Sequence, residues 1–272
     1  MYEGEIKKVG DKVIIRTVPN VVISHYQKGQ TVNWQNLESP GVELDIDKAE
    51  YFAFKMDKID AHQMDIDLMN KASDDASQQM QIVIDTEFLS SVYVDAAAAN
   101  KGQTAGRKSG AFNLGYATAP IGLTKTNVLD YLIDMETVGD EQDWPSEGRW
   151  VCIPAWMAGM INKSDLKDVS LTGDDKSTIR NGGRIGKISD WTLYKSNLVY
   201  SATDGAFTGA TAPHQIMFGH QSGITFAAQL VETEFHEKLE TTFGSGMKGL
   251  NVYGHKVIKP EALGILYAYK AT

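Results

Sequence analysis

The chain has 272 residues, and its 26 lysine and arginine residues against 35 acidic residues give a net charge of −9. The 42% hydrophobic and 22% charged fractions are typical of an ordered globular protein of one large or two small domains. The acidic balance argues against a high-affinity nucleic-acid or anionic-membrane surface, which needs clustered lysine and arginine, and a lone cysteine excludes an intramolecular disulfide.

The first part of the chain is predicted to be β-structure. Residues 13–18 are β-branched and apolar, and residues 21–26 resume this pattern before a turn signal at 27–30. Strict alternation over 42–47 predicts a half-exposed strand, and residues 51–56 are predicted to be buried on both faces. Two extended arms around a polar middle therefore predict a long hairpin. It has too few apolar residues to bury itself, so we expect another subunit to cover it.

The next block has a helical period. Apolar residues recur every four positions: Met64, Leu68, Ala72, Ala76, Met80 and Ile84. This spacing predicts an amphipathic helix over residues 61–88, about 40 Å long at 1.5 Å per residue. The glycine-rich stretch 100–120 that follows is predicted to be a long surface loop.

The second half mixes short helices with strands. Thr126 is the predicted N-cap of a helix over 127–138, with Val128, Leu129, Leu132 and Ile133 as its apolar face. We then predict a buried strand from Arg149 that is stopped by Pro154, a short helix over 155–161 and a polar loop over 163–186. A strand pair, or a strand with a turn, is predicted over 188–199, and strands at residues 216–218, 224–234, 250–257 and 263–269. Segregated elements of this kind are typical of the α+β class rather than of alternating βαβ units.

No residue pattern predicts an assembled active site. The glycines of residues 182–186 lack the spacing of a phosphate-binding loop, and the six histidines form no close ligand pair. Paired acids lie on alternating or helical solvent faces or in loops. No stretch approaches the roughly 18 to 20 apolar residues of a membrane helix. The sequence therefore predicts no catalytic residue, no metal, no cofactor and no membrane contact.

Two alternatives to a self-associating protein are open at this stage. One is a soluble hydrolase that uses Ser222 or Cys152 as its nucleophile. Against it, Ser222 lies three residues after Gly219, whereas a nucleophile elbow places the serine two residues after the first glycine. Cys152 lies in an apolar run, as a buried small hydrophobic residue does. The other alternative is a fibre of strands, and the long helix counts against it.

Several segments resemble, in chain order, the major capsid proteins of tailed bacteriophages, which have the Hong Kong 97-type shell fold. The first segments are YEGEI, VIIRTVPNVVISHYQKGQTV and VELDIDKAEYFAFKMDKIDAHQMDIDLM. The later ones are NVLDYLIDMETVGDEQDWPSEGRWVCIPAWMAGMI, GRIGKISDWTLYKSNLV and GLNVYGHKVIKPEALGILYA. The resemblance covers nearly the whole chain, and the run of segments rather than any single motif carries its specificity.

The resemblance implies an α+β fold with an extended hairpin loop over residues 1–55 and a peripheral domain with a long spine helix over 56–122. It further implies an axial domain over 123–231 and closing strands over 232–272 that return to the peripheral domain. The implied function is that of a structural protein without enzymatic activity. It self-assembles into hexamers and pentamers of an icosahedral shell around double-stranded DNA, without sequence-specific DNA contacts.

The implied partners are copies of the chain itself, scaffolding and portal proteins and a decoration protein. The implied location is the virion capsid, and the host cytoplasm during assembly. Relatives usually carry an N-terminal arm before the extended loop, whereas this chain begins almost inside that loop. We therefore expect either that the gene product extends upstream of Met1 or that the arm is absent.

The tip of the predicted hairpin is the candidate inter-subunit contact. Residues 24–41 are mostly polar, and Trp34 and Leu37 are the exceptions. A tip this polar does not fold back on its own core, so Trp34 is the predicted anchor on an adjacent subunit. Lys28 and Glu38 are predicted to add weak rim ion pairs, and Gly29 to supply a turn.

Overall fold

A computed structural model of the chain describes residues 12–16, 21–32, 34–36, 41–57, 68–164, 184–201, 212–237 and 244–271. The helices are α1 (Leu68–Ser91), α2 (Val128–Glu141) and α3 (Ala155–Ile161). The strands are β1 (Lys12–Arg16), β2 (Gly41–Asp45), β3 (Lys48–Asp57), β4 (Ile121–Leu123), β5 (Arg149–Ile153), β6 (Arg184–Ile188), β7 (Trp191–Lys195), β8 (His214–His220), β9 (Ile224–His236), β10 (Gly244–Val257) and β11 (Leu263–Lys270). The chain divides into two compact units, Met1–Asp74 with Phe226–Lys256, and Asp75–Thr225 with Val257–Thr272.

The described residues of the first unit form two small sheets, in which the pairs β1–β2 and β3–β10 are antiparallel. In one, β10 lies between β3 and β9, and its pairing with β3 runs from Lys48 opposite Tyr253 to Asp57 opposite Gly244. In the other, β1 pairs with β2, from Lys12 opposite Asp45 to Arg16 opposite Gly41. The segment between β1 and β2 therefore leaves this pair at the Arg16–Gly41 end.

The end of β10 continues along β2. The backbone of Gly254 approaches Asp45 so closely that a Cβ at this position would collide with the Asp45 carbonyl oxygen. Further along, the Lys256 ammonium donates a hydrogen bond to the Glu43 carbonyl oxygen over 2.8 Å. Because β10 is antiparallel to β3 up to Tyr253, these contacts place β2 as the continuation of β3. The Arg16–Gly41 end of the hairpin thus points away from β3.

The second unit is built on a six-stranded mixed sheet in the order β4-β11-β8-β5-β7-β6. The pairs β5–β7 and β4–β11 are parallel, whereas β11–β8, β5–β8 and β6–β7 are antiparallel. A parallel pair needs a crossover connection, and α3 lies in the connection between β5 and β7. β11 is the last of the described strands in the sequence, yet it lies inside the sheet, between β4 and β8.

Both faces of the central strands are buried. Val151 and Ile153 of β5 pack in one cluster with Leu132 of α2 and Met157 of α3. Cys152, between them, packs in a second cluster with residues such as Leu89 at the end of α1. Since alternate residues of a strand point to opposite faces, helices cover the two sides of β5. This explains why its sequence is a continuous apolar run rather than an alternating one.

Several local predictions are confirmed. The strand at 149–153 and the helix at 155–161 have the predicted bounds, with Pro154 between them. The alternation over 42–47 is also correct, since Leu44 and Ile46 are buried while Glu43, Asp45 and Asp47 are exposed. α1 continues to Ser91, three residues beyond the predicted end, and its predicted first residues lie outside the described ranges. Its apolar spacing ends in a buried residue, Ile84.

Two predictions on the first unit are wrong. Residues 21–26 form no strand although Val21, Val22 and Ile23 are β-branched and apolar, because no second strand pairs with them among the described residues. Residues 51–56 are not buried on both faces: they alternate between exposed and half-buried, and 78% of Tyr51 is exposed. Among the described residues, β3 is the edge strand of a three-stranded sheet, and its face with Tyr51, Ala53 and Lys55 is exposed.

Three predictions on the second unit need correction. The stretch 100–120 has no long regular element, as expected, but Ala105 and Leu114 are fully buried, so it is not simply a surface loop. The helix N-cap is Asn127 rather than Thr126. The Asn127 side-chain oxygen accepts a hydrogen bond from the Thr124 N–H over 2.7 Å. Ile133 is exposed, since α2 buries the face that contains Val128, Leu132, Met135 and Val138.

A carboxylate at the end of α2 binds backbone groups of the glycine-rich stretch 100–120. Glu141 Oε2 accepts hydrogen bonds from the backbone N–H groups of Lys108 and Ser109, over 2.8 and 3.0 Å. Nearby, Arg107 and Lys108 form ion pairs with Asp143 over 3.0 and 3.3 Å. The hydrogen bonds from Ser109 and then Lys108 hold the pKa of the Glu141 carboxyl below its ordinary value.

We expect the Glu141→Gln variant to lose stability in a pH-dependent manner. A carboxyl whose pKa is lowered on folding contributes stability above its unfolded pKa, and this contribution disappears as the pH falls through the folded pKa. The difference in urea midpoint between wild type and variant should therefore be full near neutral pH and shrink below about pH 4. Glu147→Gln, in an exposed turn, serves as the control and should follow wild type. A difference that is independent of pH would contradict this account.

Candidate assembly surface

Residues 21–36 carry an unusual amount of exposed apolar surface. Ile23 and Trp34 are 94% and 93% exposed. Four further large apolar residues of this segment are exposed: Val21, Val22, Tyr26 and Val32. An exposed apolar surface larger than scattered single residues marks an interaction site in soluble proteins, so this segment is a candidate for one. We call residues 21–32 and 34–36 the apolar segment.

A turn and side-chain hydrogen bonds shape the apolar segment. Gly29 has φ of 91°, and the Gln30 N–H donates to the Gln27 carbonyl oxygen over 3.0 Å. This is the predicted turn at 27–30, since a positive φ favours glycine. The Gln35 side-chain oxygen accepts a hydrogen bond from the Val22 N–H over 3.0 Å, which ties the two ends of the segment together.

The structure describes three of the five predicted tip residues. Lys28, Gly29 and Trp34 are all exposed, whereas Leu37 and Glu38 lie outside the described residues. Sequence reasoning missed the contribution of Val21, Val22 and Ile23, because a β-branched run was interpreted as a paired strand. The sequence does contain a signal that this run is exposed, because the rest of the hairpin has too few apolar residues to cover it.

The residues of the alternative hydrolase hypothesis do not form a common site. Ser222 Oγ lies 2.8 Å from His220 Nδ1, but the Ser222 backbone N–H also points at this nitrogen, over 3.2 Å. The other ring nitrogen of His220 faces the backbone carbonyl of Glu147 over 2.9 Å, where a catalytic triad would have a carboxylate. This is the geometry of a hydrogen-bonded turn between β8 and β9.

Cys152 is a buried thiol in the second cluster of the sheet. Burial, and then the charge of Asp85, raises the pKa of the Cys152 thiol to about 11. The thiolate is the nucleophilic form of cysteine. At neutral pH the side chain is therefore an unreactive thiol.

We expect Cys152 to react slowly with a disulfide reagent in the folded protein. The rise of the thiol pKa from 9.0 to about 11 reduces the thiolate fraction at pH 7 about 100-fold, and burial slows access further. The reaction should become fast in urea, which provides the internal control. Cys152→Ser, Ser222→Ala and His220→Ala should leave particle formation unchanged. A fast reaction of the folded protein would show that the thiol is accessible.

The described ranges contain no group of three or more histidine, cysteine, aspartate or glutamate side chains placed to hold a metal ion. Nor does any helix within those ranges combine the length and apolar character needed to cross a bilayer.

The sequence matches no protein-family model and no curated protein, but the fold matches solved structures over nearly the whole chain. A chain of Mycobacterium phage Che8 is 20% identical, with a TM-score of 0.62 over 94% of this chain and 84% of its own length. A chain in the capsid of Ralstonia phage GP4 is 11% identical, with a TM-score of 0.65 over 99% of this chain and 87% of its own. This chain has the phage capsid fold.

The capsid fold fits the α+β class that the order of elements predicted, and it agrees in fold with the resemblance to phage capsid proteins. A chain of the SrpI encapsulin complex from Synechococcus elongatus is also similar, with 12% identity and a TM-score of 0.56 over 96% of this chain and 84% of its own. Within the capsid fold, the apolar segment is the candidate surface for contacts between subunits.

Proposed function

We propose that the protein is a major capsid protein that self-assembles into hexamers and pentamers of an icosahedral shell around double-stranded DNA. The observation that carries this proposal is the apolar segment, an exposed apolar stretch on a chain with the capsid fold. Residues such as Ile23 and Trp34 gain free energy when they leave water, at about 25 cal/mol per Å² of apolar surface. A neighbouring subunit supplies the surface that covers them.

The division of the chain in this proposal follows the resemblance. Residues 1–55 form the extended loop, and 56–122 the peripheral domain with α1 as its spine helix. Residues 123–231 form the axial domain, and 232–272 are the closing strands. The pairing of β11 with β4, which begins at Ile121, supports the return of the closing strands to the peripheral domain. β10 pairs mostly with residues of the extended loop.

The loop tip with Lys28, Gly29, Trp34, Leu37 and Glu38 is the inter-subunit contact in this proposal. Scaffolding and portal proteins are its partners during assembly in the host cytoplasm, and a decoration protein is a further partner in the virion. The net charge of −9 supports DNA contacts without sequence specificity, since tight phosphate binding needs clustered basic residues. The protein has no enzymatic role, and the raised pKa of Cys152 and the turn geometry of Ser222 support this.

The proposed function is tested by size-exclusion chromatography and negative-stain microscopy of the purified protein, with and without a scaffolding protein. We expect rings of five and six subunits, or closed shells, at high protein concentration. For particles purified from infected cells, the ratio of absorbance at 260 nm to that at 280 nm then shows whether they contain nucleic acid or protein. A nucleic-acid spectrum is expected, whereas particles filled with protein cargo would indicate an encapsulin-like shell. A monomer under all salt and scaffold conditions would contradict the proposal.

A further inference from the structure

We infer that a groove beside α2 binds a basic, apolar helical segment of the scaffolding protein. This inference rests on the proposed function and deepens it, since it gives one of the proposed partners a place on the chain and a chemistry. We call this feature the α2 groove. It has a volume of about 250 Å³ and lies within the second unit, where its lining includes Leu129, Leu132, Ile133, Glu136, Ile188 and Trp191.

Hydrogen bonds hold the walls of the α2 groove in place. Trp191 is fully buried, and its indole N–H donates a hydrogen bond to the Leu132 carbonyl oxygen over 3.2 Å. This bond fixes β7 against α2. At the rim, the Ser189 hydroxyl donates to Glu136 Oε1 over 2.7 Å and ties the turn between β6 and β7 to the helix. A groove with walls already fixed loses little conformational freedom when a partner binds.

The α2 side of the groove is a stripe of three large apolar residues that ends in a carboxylate. Leu129, Leu132, Ile133 and Glu136 are spaced i, i+3, i+4 and i+7, so they follow one face of the helix. Ile133 is 58% exposed. An amphipathic helix presents its own apolar side chains at the same spacing, and such anchors dock in hydrophobic grooves. The α2 groove therefore fits the apolar face of a partner helix.

Carboxylates surround this stripe. Asp130 and Glu136 are each three residues from Ile133, and are therefore its neighbours on the helix surface. Burial, and then the charge of Asp130, raises the pKa of the Asp134 carboxyl. In the described part of the chain no basic side chain forms an ion pair with Asp130, Asp134 or Glu136. α2 itself has no lysine, arginine or histidine, so the exposed apolar stripe has a negative rim that a basic partner would neutralise.

The charge and the size of the groove favour the scaffolding protein as its occupant. A second copy of the chain, with its net charge of −9, matches an acidic groove less well than a basic partner does. Stable interfaces bury at least about 1,200 Å², whereas this groove is lined by one stripe of a helix and one turn. In the proposed function the scaffolding protein is a partner during assembly, and weak, reversible binding suits this role.

A designed peptide tests the chemistry of the groove. The probe is a fluorescent helical peptide with leucines at i, i+3 and i+7 and lysines on its other faces, and its binding to dissociated subunits is measured by fluorescence anisotropy. One control peptide has glutamate in place of every lysine, and another has serine in place of every leucine. We expect only the basic, apolar peptide to bind, and more weakly at about 0.5 M than at about 0.05 M salt. No binding of this peptide at low salt would overturn the inference.

Variants of the chain locate the bound peptide. Ile133→Ser should weaken binding at least about tenfold, because it removes the most exposed apolar contact of the stripe. Asp130→Asn should weaken binding at low salt and have little effect at high salt. Ile82→Ser and Asp75→Asn, both exposed on α1, are the matched controls and should bind like wild type. Urea unfolding checks that each variant is folded, and equal binding by folded Ile133→Ser and wild type would overturn the inference.

Competition identifies the occupant. Unlabelled scaffolding protein should displace the labelled peptide from wild-type subunits, and shells should need more scaffolding protein with Ile133→Ser than with wild type. If scaffolding protein did not displace the peptide, the inference would be overturned. Release of the peptide when subunits form rings without scaffolding protein would place a second copy in the groove, and this too would overturn it.

The two proposals fail separately, because peptide binding is measured on dissociated subunits and needs no shell. Wild-type protein that forms no rings or shells, with or without scaffolding protein, would overturn the proposed function and, with it, the scaffolding protein as occupant. Wild-type shells, together with peptide binding that is absent or that Ile133→Ser leaves unchanged, would overturn the α2 groove alone.

Discussion

Replacing Trp34 with alanine is expected to reduce shell yield and shell heat stability far more than replacing Lys28. Trp34 is 93% exposed in the single chain, so it contributes little to the fold and has its full surface available for a partner. A tryptophan buried at the centre of an interface contributes about 2 kcal/mol or more, roughly 30-fold in affinity. Lys28 supplies at most a rim ion pair, worth about 0 to 1 kcal/mol.

The comparison between assembly and subunit stability makes this prediction specific. Shell yield is measured by sedimentation, and heat stability by calorimetry of the particles, for wild type, Trp34→Ala and Lys28→Ala. Urea unfolding of the dissociated subunits should be the same for all three proteins. If Trp34→Ala unfolded the subunit and left assembly untouched, the tip would belong to an intramolecular core and the proposed extended loop would be wrong.

Arg149→Met is expected to lower the free energy of unfolding by about 2 to 4 kcal/mol. The Arg149 side chain is only 2% exposed and forms an ion pair with Asp140 over 2.7 Å. Its guanidinium also donates to the carbonyl oxygens of Trp144 and Pro145, over 2.6 and 2.8 Å. Methionine keeps the apolar stem but leaves both carbonyl groups without this donor, at about 1 to 2 kcal/mol each. Arg149 therefore holds the turn between α2 and β5.

Arg107→Met is the matched control, because Arg107 also pairs with an aspartate in this region, Asp143, over 3.0 Å. Both partners of that pair are more than half exposed, and exposed ion pairs contribute only about 0 to 1 kcal/mol. Urea denaturation of both variants at neutral pH measures the difference. Equal losses for the two variants would mean that burial of the guanidinium is not what makes Arg149 important.

Local signals made β5 and α3 predictable. A short apolar run, a proline and a second apolar run mark the end of one element and the start of the next, and the structure places the boundary at Pro154. The period-two pattern over 42–47 was equally informative, because its two faces differ in polarity at every step. These features depend only on residues that are neighbours in the sequence, so the sequence contains all the information needed to predict them.

Burial depends on neighbours in space, and there the sequence was a poorer guide. The apolar run at 51–56 looks like the run in β5, but β5 lies in the interior of a six-stranded sheet and β3 at the edge of a three-stranded one. The glycine-rich stretch 100–120 was predicted to lie on the surface. Instead, Leu114 is buried and its carbonyl oxygen accepts a hydrogen bond from the Tyr267 N–H over 2.9 Å, a contact more than 150 residues distant in sequence.

The candidate surface was predictable in part. Trp34 was identified because it is a large aromatic residue among polar ones, and it is exposed as expected. Residues 21–26 were assigned to a strand because β-branched residues favour one, but propensity does not supply a partner strand. In the described part of the chain no strand pairs with residues 21–26, so their strand propensity alone did not predict their structure.

The interior position of β11 has a consequence for synthesis of the chain. At about 5 to 20 residues per second, β8 leaves the ribosome before β11 exists, so β8 lacks one of its two neighbours and Leu263, Ile265 and Leu266 are missing from the sheet. The sheet closes only after the last of the described elements has been made. A chain that stops before Leu263 lacks an interior strand, and the edges of β4 and β8 that face β11 stay without this neighbour.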